Sequence, residues 1–258
     1  MQISRKFAYS AAVAALLFAM GGASAQQTKL KLGTEGAYPP FNTLTSDGKL
    51  AGFDIDVGNA LCAEMKVECE WVTQDWDGII PALQGGKFDA IIASMTITDE
   101  RKQQVDFTNK YYTTPLALVA LKNTDLTSPE PDALKGKTVG AQGSTTQAIY
   151  AEDHYAKAGA DVKLYPTQDE AMADLTNGRL DAVVSDKFVL VDWLKTTGND
   201  CCKLVGDLKN TESLTGIAVR KGDPLREKLN AAIDAIVKDG TYAKINAKYF
   251  DFDIYGKD

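Results

Sequence analysis

The chain has 258 residues, 24% of them charged and 45% hydrophobic, and a formal net charge of −7. The acidic balance argues against a nucleic-acid partner, whose phosphates need a basic face, and the composition is that of an ordinary globular protein. The length suits one large domain or two lobes.

Arg5 and Lys6 precede an apolar run from Ala8 to Met20, which Ala23-Ser24-Ala25 follows. A short basic region, an apolar run too short to span a bilayer with ease and a small-x-small site predict a signal peptide over residues 1–25. Cleavage leaves 233 residues starting at Gln26. No acidic residue departs with Arg5 and Lys6, so the formal charge becomes −9.

Lys29 to Thr34 alternates in polarity and reads as a strand. Glu35 to Phe41 is expected to be a loop, because a glycine and two prolines interrupt it. Thr45 to Lys49 carries an Asp-Gly hairpin turn. A helix is expected over about 55–65, with Asp54 as its N-cap. A strand over 68–72, a short helix over 77–84 ended by Gly85-Gly86 and a buried strand over 89–93 follow. Thr98-Asp99-Glu100 reads as a helix start, a hydroxyl cap with acids at the positive end of the dipole. Pro115 marks 111–121 as an edge or crossing segment, since proline cannot donate to a ladder. The second half reads as strand 137–141, helix 142–155, strand 161–165, helix 169–176, strand 181–185 and helix 188–196. A strand over 213–219, an amphipathic helix over 223–238 and a last helix over 241–249 close the chain.

Strands alternating with helices predict an α/β fold. An internal repeat adds to this. Thr73 to Ser94 and Thr167 to Asp186 both begin Thr-Gln-Asp, continue into a short helix and a glycine, and end with Asp-Ala and two β-branched residues. Two similar lobes follow, 26–114 with 213–258 in one and 115–212 in the other, joined by crossing segments that form a two-stranded hinge. In open α/β sheets ligands bind at strand C-terminal ends. One shared cleft is therefore expected, closing around a ligand.

The residues at those ends suit a zwitterion. Arg101 can hold a carboxylate through two parallel hydrogen bonds, and the helix start at Thr145 can complete that site. Asp186 ends a buried apolar strand, where an unpaired carboxylate is costly; an α-ammonium group would compensate it, with Ser94 and Thr96 as further acceptors. The plainer alternative for Asp186 is a salt bridge to Lys187 or another lysine. Tyr38 and Trp76 can flank a ligand side chain, and Glu35 can meet a positive group at its far end. Ala93, Met95 and Ser144 are neighbours that complete the expected set. His154 is the only histidine, and no cluster has metal-ligand spacing, so neither metal nor cofactor is expected. Cys62 and Cys69 are predicted to pair if the chain is exported, with two buried thiols as the alternative. Adjacent Cys201 and Cys202 leave three states open: a vicinal disulfide, free thiols or an intermolecular bridge.

These motifs together resemble the periplasmic solute-binding proteins of polar amino-acid ABC importers, family 3, above all the lysine/arginine/ornithine and histidine binders. The carrying stretches are GTEGAYPPF (Gly33 to Phe41), GFDID (Gly52 to Asp56), DWDGIIPAL (Asp75 to Leu83), DAIIASMTITDER (Asp89 to Arg101), QGST (Gln142 to Thr145), GRLDAVVSD (Gly178 to Asp186) and DGTYAKINAKYF (Asp239 to Phe250). The resemblance covers essentially the whole chain after residue 25. It implies the two-lobed type II binding-protein fold, a periplasmic monomer, an amino-acid ligand, a disulfide at Cys62 and Cys69, and no catalysis. It also implies an inner-membrane ABC permease as partner and leaves a chemoreceptor as a further one. By the same resemblance Arg101 and Thr145 take the ligand α-carboxylate, Asp186, Ser94 and Thr96 the α-ammonium, and Glu35 the distal group. Glu35, Trp76 and Ala93 depart from the basic amino-acid binders, which typically have Asp, Phe and Ser there, and resemble the opine-binding members. Arginine is the expected ligand, with lysine, ornithine, histidine or an opine as alternatives. The rival from another class is a periplasmic dehydratase on the same fold, with Glu35 as its acid or base.

Overall fold

The computed structural model describes residues 29–256. The expected signal peptide lies outside the described residues. The first lobe starts with β1 (Lys29–Thr34), whose Leu30 and Leu32 turn inward. Short strands β2 (Ala37–Tyr38), β3 (Asn42–Leu44) and β4 (Leu50–Ala51) form a small antiparallel sheet. The segment expected to be a plain loop thus pairs briefly, Ala37 with Thr43 and Tyr38 with Asn42.

Helix α1 (Phe53–Glu64) starts earlier than expected, and Asp54 is not its cap. Gly52 takes that position at φ 126°. A Cβ there would lie 2.3 Å from the Phe41 carbonyl oxygen, so only glycine fits. Asp54 falls in the first turn, and its carboxylate points into the lobe instead. Strand β5 (Glu68–Thr73) leads through a 3-10 turn (Trp76–Gly78) to α2 (Ile79–Gln84) and β6 (Ala90–Ile91). Thr98 caps α3 (Asp99–Gln104), its hydroxyl accepting from the Arg101 N–H at 3.1 Å. Strand β7 (Asp106–Thr114) ends at Pro115.

Pro115 does not sit within one edge strand. It separates β7 from β8 (Leu116–Leu121), and the two belong to different sheets. β7 is an edge, whereas β8 is interior, paired on both sides. The proline fits because it lies between ladders rather than in one. The second lobe continues with β9 (Thr138–Gln142), α4 (Thr146–Tyr150), a π-helical turn (Ala151–Ala156), β10 (Asp161–Tyr165), α5 (Gln168–Thr176), β11 (Ala182–Asp186), α6 (Lys187–Lys195) and β12 (Cys202–Asp207). Strand β12 had no signal in the sequence: it is an irregular edge, with a register shift between Leu204 and Gly206. The chain then returns to the first lobe with β13 (Ser213–Val219), α7 (Leu225–Lys238) and α8 (Thr241–Tyr249).

The two sheets share a plan. Their strand orders are β5-β1-β6-β13-β7 and β10-β9-β11-β8-β12. In each, the first three strands are parallel and the fourth runs antiparallel to the third. The repeated stretches occupy equivalent places, ending at β6 and β11. The C-terminal ends of the central strands in both lobes therefore face one cleft.

An aromatic cluster fixes the first lobe beneath that cleft. Phe41, fully buried, stacks on Tyr112 at 4.7 Å, meets Phe53 edge-on at 5.8 Å and packs at a tilt against Phe250 at 5.6 Å. Cys62 and Cys69 are bonded across the end of α1 and β5, with Cα atoms 5.8 Å apart. Cys201 and Cys202 form a vicinal disulfide, the first of the three states left open. Phe41→Ala should cost about 3–5 kcal/mol of stability, the usual loss for deleting a buried ring. Urea unfolding with an unchanged midpoint would contradict this role.

Candidate functional site

The lobes meet around a small cavity that both of them line. The first lobe lines it with Glu35, Tyr38, Trp76, Ala93, Ser94, Thr96 and Arg101. The second contributes Gln142, Thr145, Thr146, Gln147 and Asp186. Eight expected site residues, with Ala93, thus come to one place. Met95 does not: it is fully buried in the core around α2. Ser144 stands at the rim and takes part through its backbone.

Each position follows from the local chain. Asp186 is the last residue of β11, 1% exposed, so its carboxylate projects from the strand end into the cleft. It accepts from the Tyr38 hydroxyl at 2.9 Å and from Gln147 Nε2 at 2.9 Å. Lys187, the plainer partner, is bonded instead to Asp207 at 2.6 Å. Among the described residues Asp186 therefore has hydrogen bonds but no bonded cation. Burial pushes its pKa up to about 7, against the lowering effect of Tyr38, Gln147 and the more distant Arg101.

Arg101 reaches back from the first turn of α3. Its guanidinium donates to the Thr96 carbonyl at 2.9 Å and the Ser144 carbonyl at 3.3 Å, and lies over the Trp76 ring at 5.2 Å. No salt bridge joins it to a carboxylate among the described residues. Burial lowers its pKa to about 10, so it remains a cation at neutral pH. Further N–H groups of the fork stay available to an anion.

Glu35 lies at the end of β1, partly buried, and accepts from Gln142 Nε2 at 2.6 Å. Burial raises its pKa to about 7; the Gln142 bond opposes that, and Asp169, Asp75 and Asp77 add to it. Trp76 Nε1 donates to the Ser144 carbonyl at 3.0 Å. The hydrogen bonds of Tyr38, Glu35, Trp76 and Arg101 thus cross between lobes, and the cleft is closed.

Ser94 sits just past β6 in the left-handed region, at φ 53°. Its hydroxyl donates to Asp54 at 3.0 Å, and its N–H donates to the Tyr111 hydroxyl at 3.2 Å. Both are engaged within the first lobe, which leaves its carbonyl as the group to face a ligand. The Thr145 hydroxyl caps α4, accepting from the Ala148 N–H at 3.1 Å and donating to the Gln142 carbonyl at 2.6 Å. Gln147 was not foreseen in the sequence. A glutamine just past a helix cap carries no signal until the helix is docked against β11. Gln142, expected to open a helix over 142–155, is instead the last residue of β9, and the helix starts only at Thr146.

A zwitterion fits this arrangement, with a guanidinium at one wall, an unpaired carboxylate facing it and a second carboxylate farther along the cleft. The model of the bacterial extracellular solute-binding proteins, family 3, matches residues 30–252. The chain is 52% identical to the L-arginine-binding protein of Pseudomonas aeruginosa over 233 residues, which cover 88% of this chain and 90% of that one. It is 38% identical to the histidine-binding periplasmic protein of Escherichia coli (strain K12) over 262 residues, 99% and 98% of the two chains. An ancestral arginine-binding protein, solved with arginine bound, superposes with a TM-score of 0.82 at 43% identity, over 87% of this chain and 99% of that one. This chain belongs to the bacterial extracellular solute-binding proteins of family 3.

Proposed function

We propose that the chain is a periplasmic protein that captures a cationic amino acid, arginine first, and hands it to an inner-membrane ABC permease. The observation that carries this reading is the charge of the cleft. Asp186, fully buried, and Glu35, partly buried, are two carboxylates that share the cleft with one partly buried guanidinium. A ligand with one anionic and two cationic groups neutralises all three. Arg101 and the Thr145 helix start take the α-carboxylate; Asp186, the Ser94 carbonyl and Thr96 take the α-ammonium; Glu35 takes the distal cation. Tyr38 and Trp76 flank the side chain. Residues 26–114 with 213–258 and residues 115–212 act as the two lobes that close on it.

Arginine leads lysine and ornithine because Glu35 can accept two parallel hydrogen bonds from a guanidinium, and Trp76 offers a broad face to a planar cation. The name of the L-arginine-binding relative from Pseudomonas aeruginosa points the same way. A second reading has one observation behind it: a carboxyl with its pKa raised to about 7 is suited to acid–base catalysis. Ligand recovered chemically unchanged after long incubation separates a binder from a dehydratase.

Arg101→Ala should weaken arginine and neutral amino acids alike by roughly 2–5 kcal/mol, as when one partner of a buried charge pair is removed. Calorimetry showing unchanged affinity contradicts the carboxylate role. Glu35→Gln should lower arginine affinity far more than glutamine affinity; equal losses remove the case for a distal cation.

Binding should also release protons. The raised pKa values mean that the empty closed cleft holds protons below about pH 7. A cationic ligand favours the ionised carboxylates, so it must displace those protons. Arginine affinity should therefore fall as pH drops through 7, by up to about tenfold per unit for each proton displaced. Titrations at pH 6 in buffers of different ionisation enthalpy measure the release, and its absence shows that the free protein holds both carboxylates hydrated and ionised in an open cleft.

A further inference from the structure

Asp54 is a fully buried carboxylate that the binding reading does not use. It belongs to the GFDID stretch and does not cap the helix that the stretch opens. Its Oδ2 accepts from Asn42 Nδ2 at 2.9 Å and from the Ser94 hydroxyl at 3.0 Å. Its Oδ1 accepts from the Tyr111 hydroxyl at 2.8 Å. The network extends one bond further on each side. Asn42 Oδ1 accepts from the Gly36 N–H at 2.8 Å, and the Tyr111 hydroxyl accepts from the Ser94 N–H at 3.2 Å.

The two ends of this network are the two ends of the first lobe's half of the cleft. Gly36 directly follows Glu35, which faces the distal end. Ser94 presents its carbonyl at the head-group end, in a left-handed conformation at φ 53° that a serine adopts only when it is held there. Every member lies in the first lobe, so the network needs neither ligand nor closure to form. Asn42, Asp54 and Tyr111 are fully buried. A buried polar network with all its members bonded is rigid.

We propose that Asp54 is a positioning residue that fixes the distance between Glu35 and Ser94, and so sets the length of side chain the cleft accepts. The inference rests on the binding reading above. A carboxylate suits the post because it accepts at both oxygens and donates nothing. An asparagine there turns an N–H₂ group towards one set of donors. Asn42, Ser94 or Tyr111 must then rotate, and the spacing between the two ends loosens.

The test compares affinities for arginine, lysine and ornithine in the full chain without its leader. The variants are Asp54→Asn, Asn42→Ala and Tyr111→Phe, of which the last two keep the question answerable if the first does not fold. None of the three side chains lines the cavity. Cooperative thermal unfolding establishes that each variant is folded. The expected result is a change in the ratio of arginine to ornithine affinity of about tenfold, the size of one buried hydrogen bond, with lysine between. A purely structural role would lower all three affinities by one common factor or leave them unchanged, and either outcome overturns the proposal. Wild-type protein that binds none of the three overturns the binding reading itself, whereas wild-type binding with constant ratios in the variants overturns only the positioning role.

Discussion

Two carboxylates and one guanidinium, Asp186 fully buried and Glu35 and Arg101 partly so, share a single closed cleft, and this is the constraint on which the rest depends. Asp186 has left water and Glu35 and Arg101 have left it in part, and among the described residues no salt bridge joins Arg101 to a carboxylate. Tyr38, Gln147 and Gln142 supply neutral donors to Asp186 and Glu35, but neutral donors only partly offset the loss of hydration. The upward pKa shifts of both carboxyls are the physical sign of that deficit. Closing the empty cleft is therefore costly. A ligand bearing the complementary charges removes the cost, which couples closure to occupancy. A ligand can shift the open–closed equilibrium only by as much as it prefers one state, and here the preference is electrostatic.

The fold brings these charges together by repetition. Equivalent three-strand parallel units end at β6 in one lobe and β11 in the other, and each ends in polar residues. One end offers Ser94, Thr96 and Arg101, and the other offers Asp186. Neither lobe holds a complete site. The chain crosses between the sheets at Pro115 and again before β13, so the lobes can close without breaking either ladder. The Ser144 carbonyl, gripped by Trp76 and Arg101, bonds the second lobe's rim to the first.

Much of this was legible in the sequence because it depends on local pattern. The strand ends, the Thr98 cap, the repeat ending at Asp186 and the residues lining the cleft all follow from periodicity and punctuation, sharpened by family resemblance. What escaped depends on tertiary packing. Asp54 has the local pattern of a helix cap, but Gly52 pressed against the Phe41 carbonyl takes the cap position and turns the carboxylate inward. Gln147 matters only because α4 docks beside β11. Met95 has the spacing of a cleft residue yet turns into the core around α2. Strand β12 is an irregular edge whose pairing with β8 could not be read from Cys-Lys-Leu-Val-Gly-Asp alone.

The most direct test of the charge argument replaces the ligand rather than the protein. Citrulline has the shape of arginine without its side-chain charge. Calorimetry of both ligands on the wild-type protein at pH 7.5 should show arginine binding more tightly by roughly 2–5 kcal/mol, the scale of leaving a buried charge unpaired. Equal affinity for the two would contradict the account, because the second buried carboxylate would then have no part in selecting the ligand.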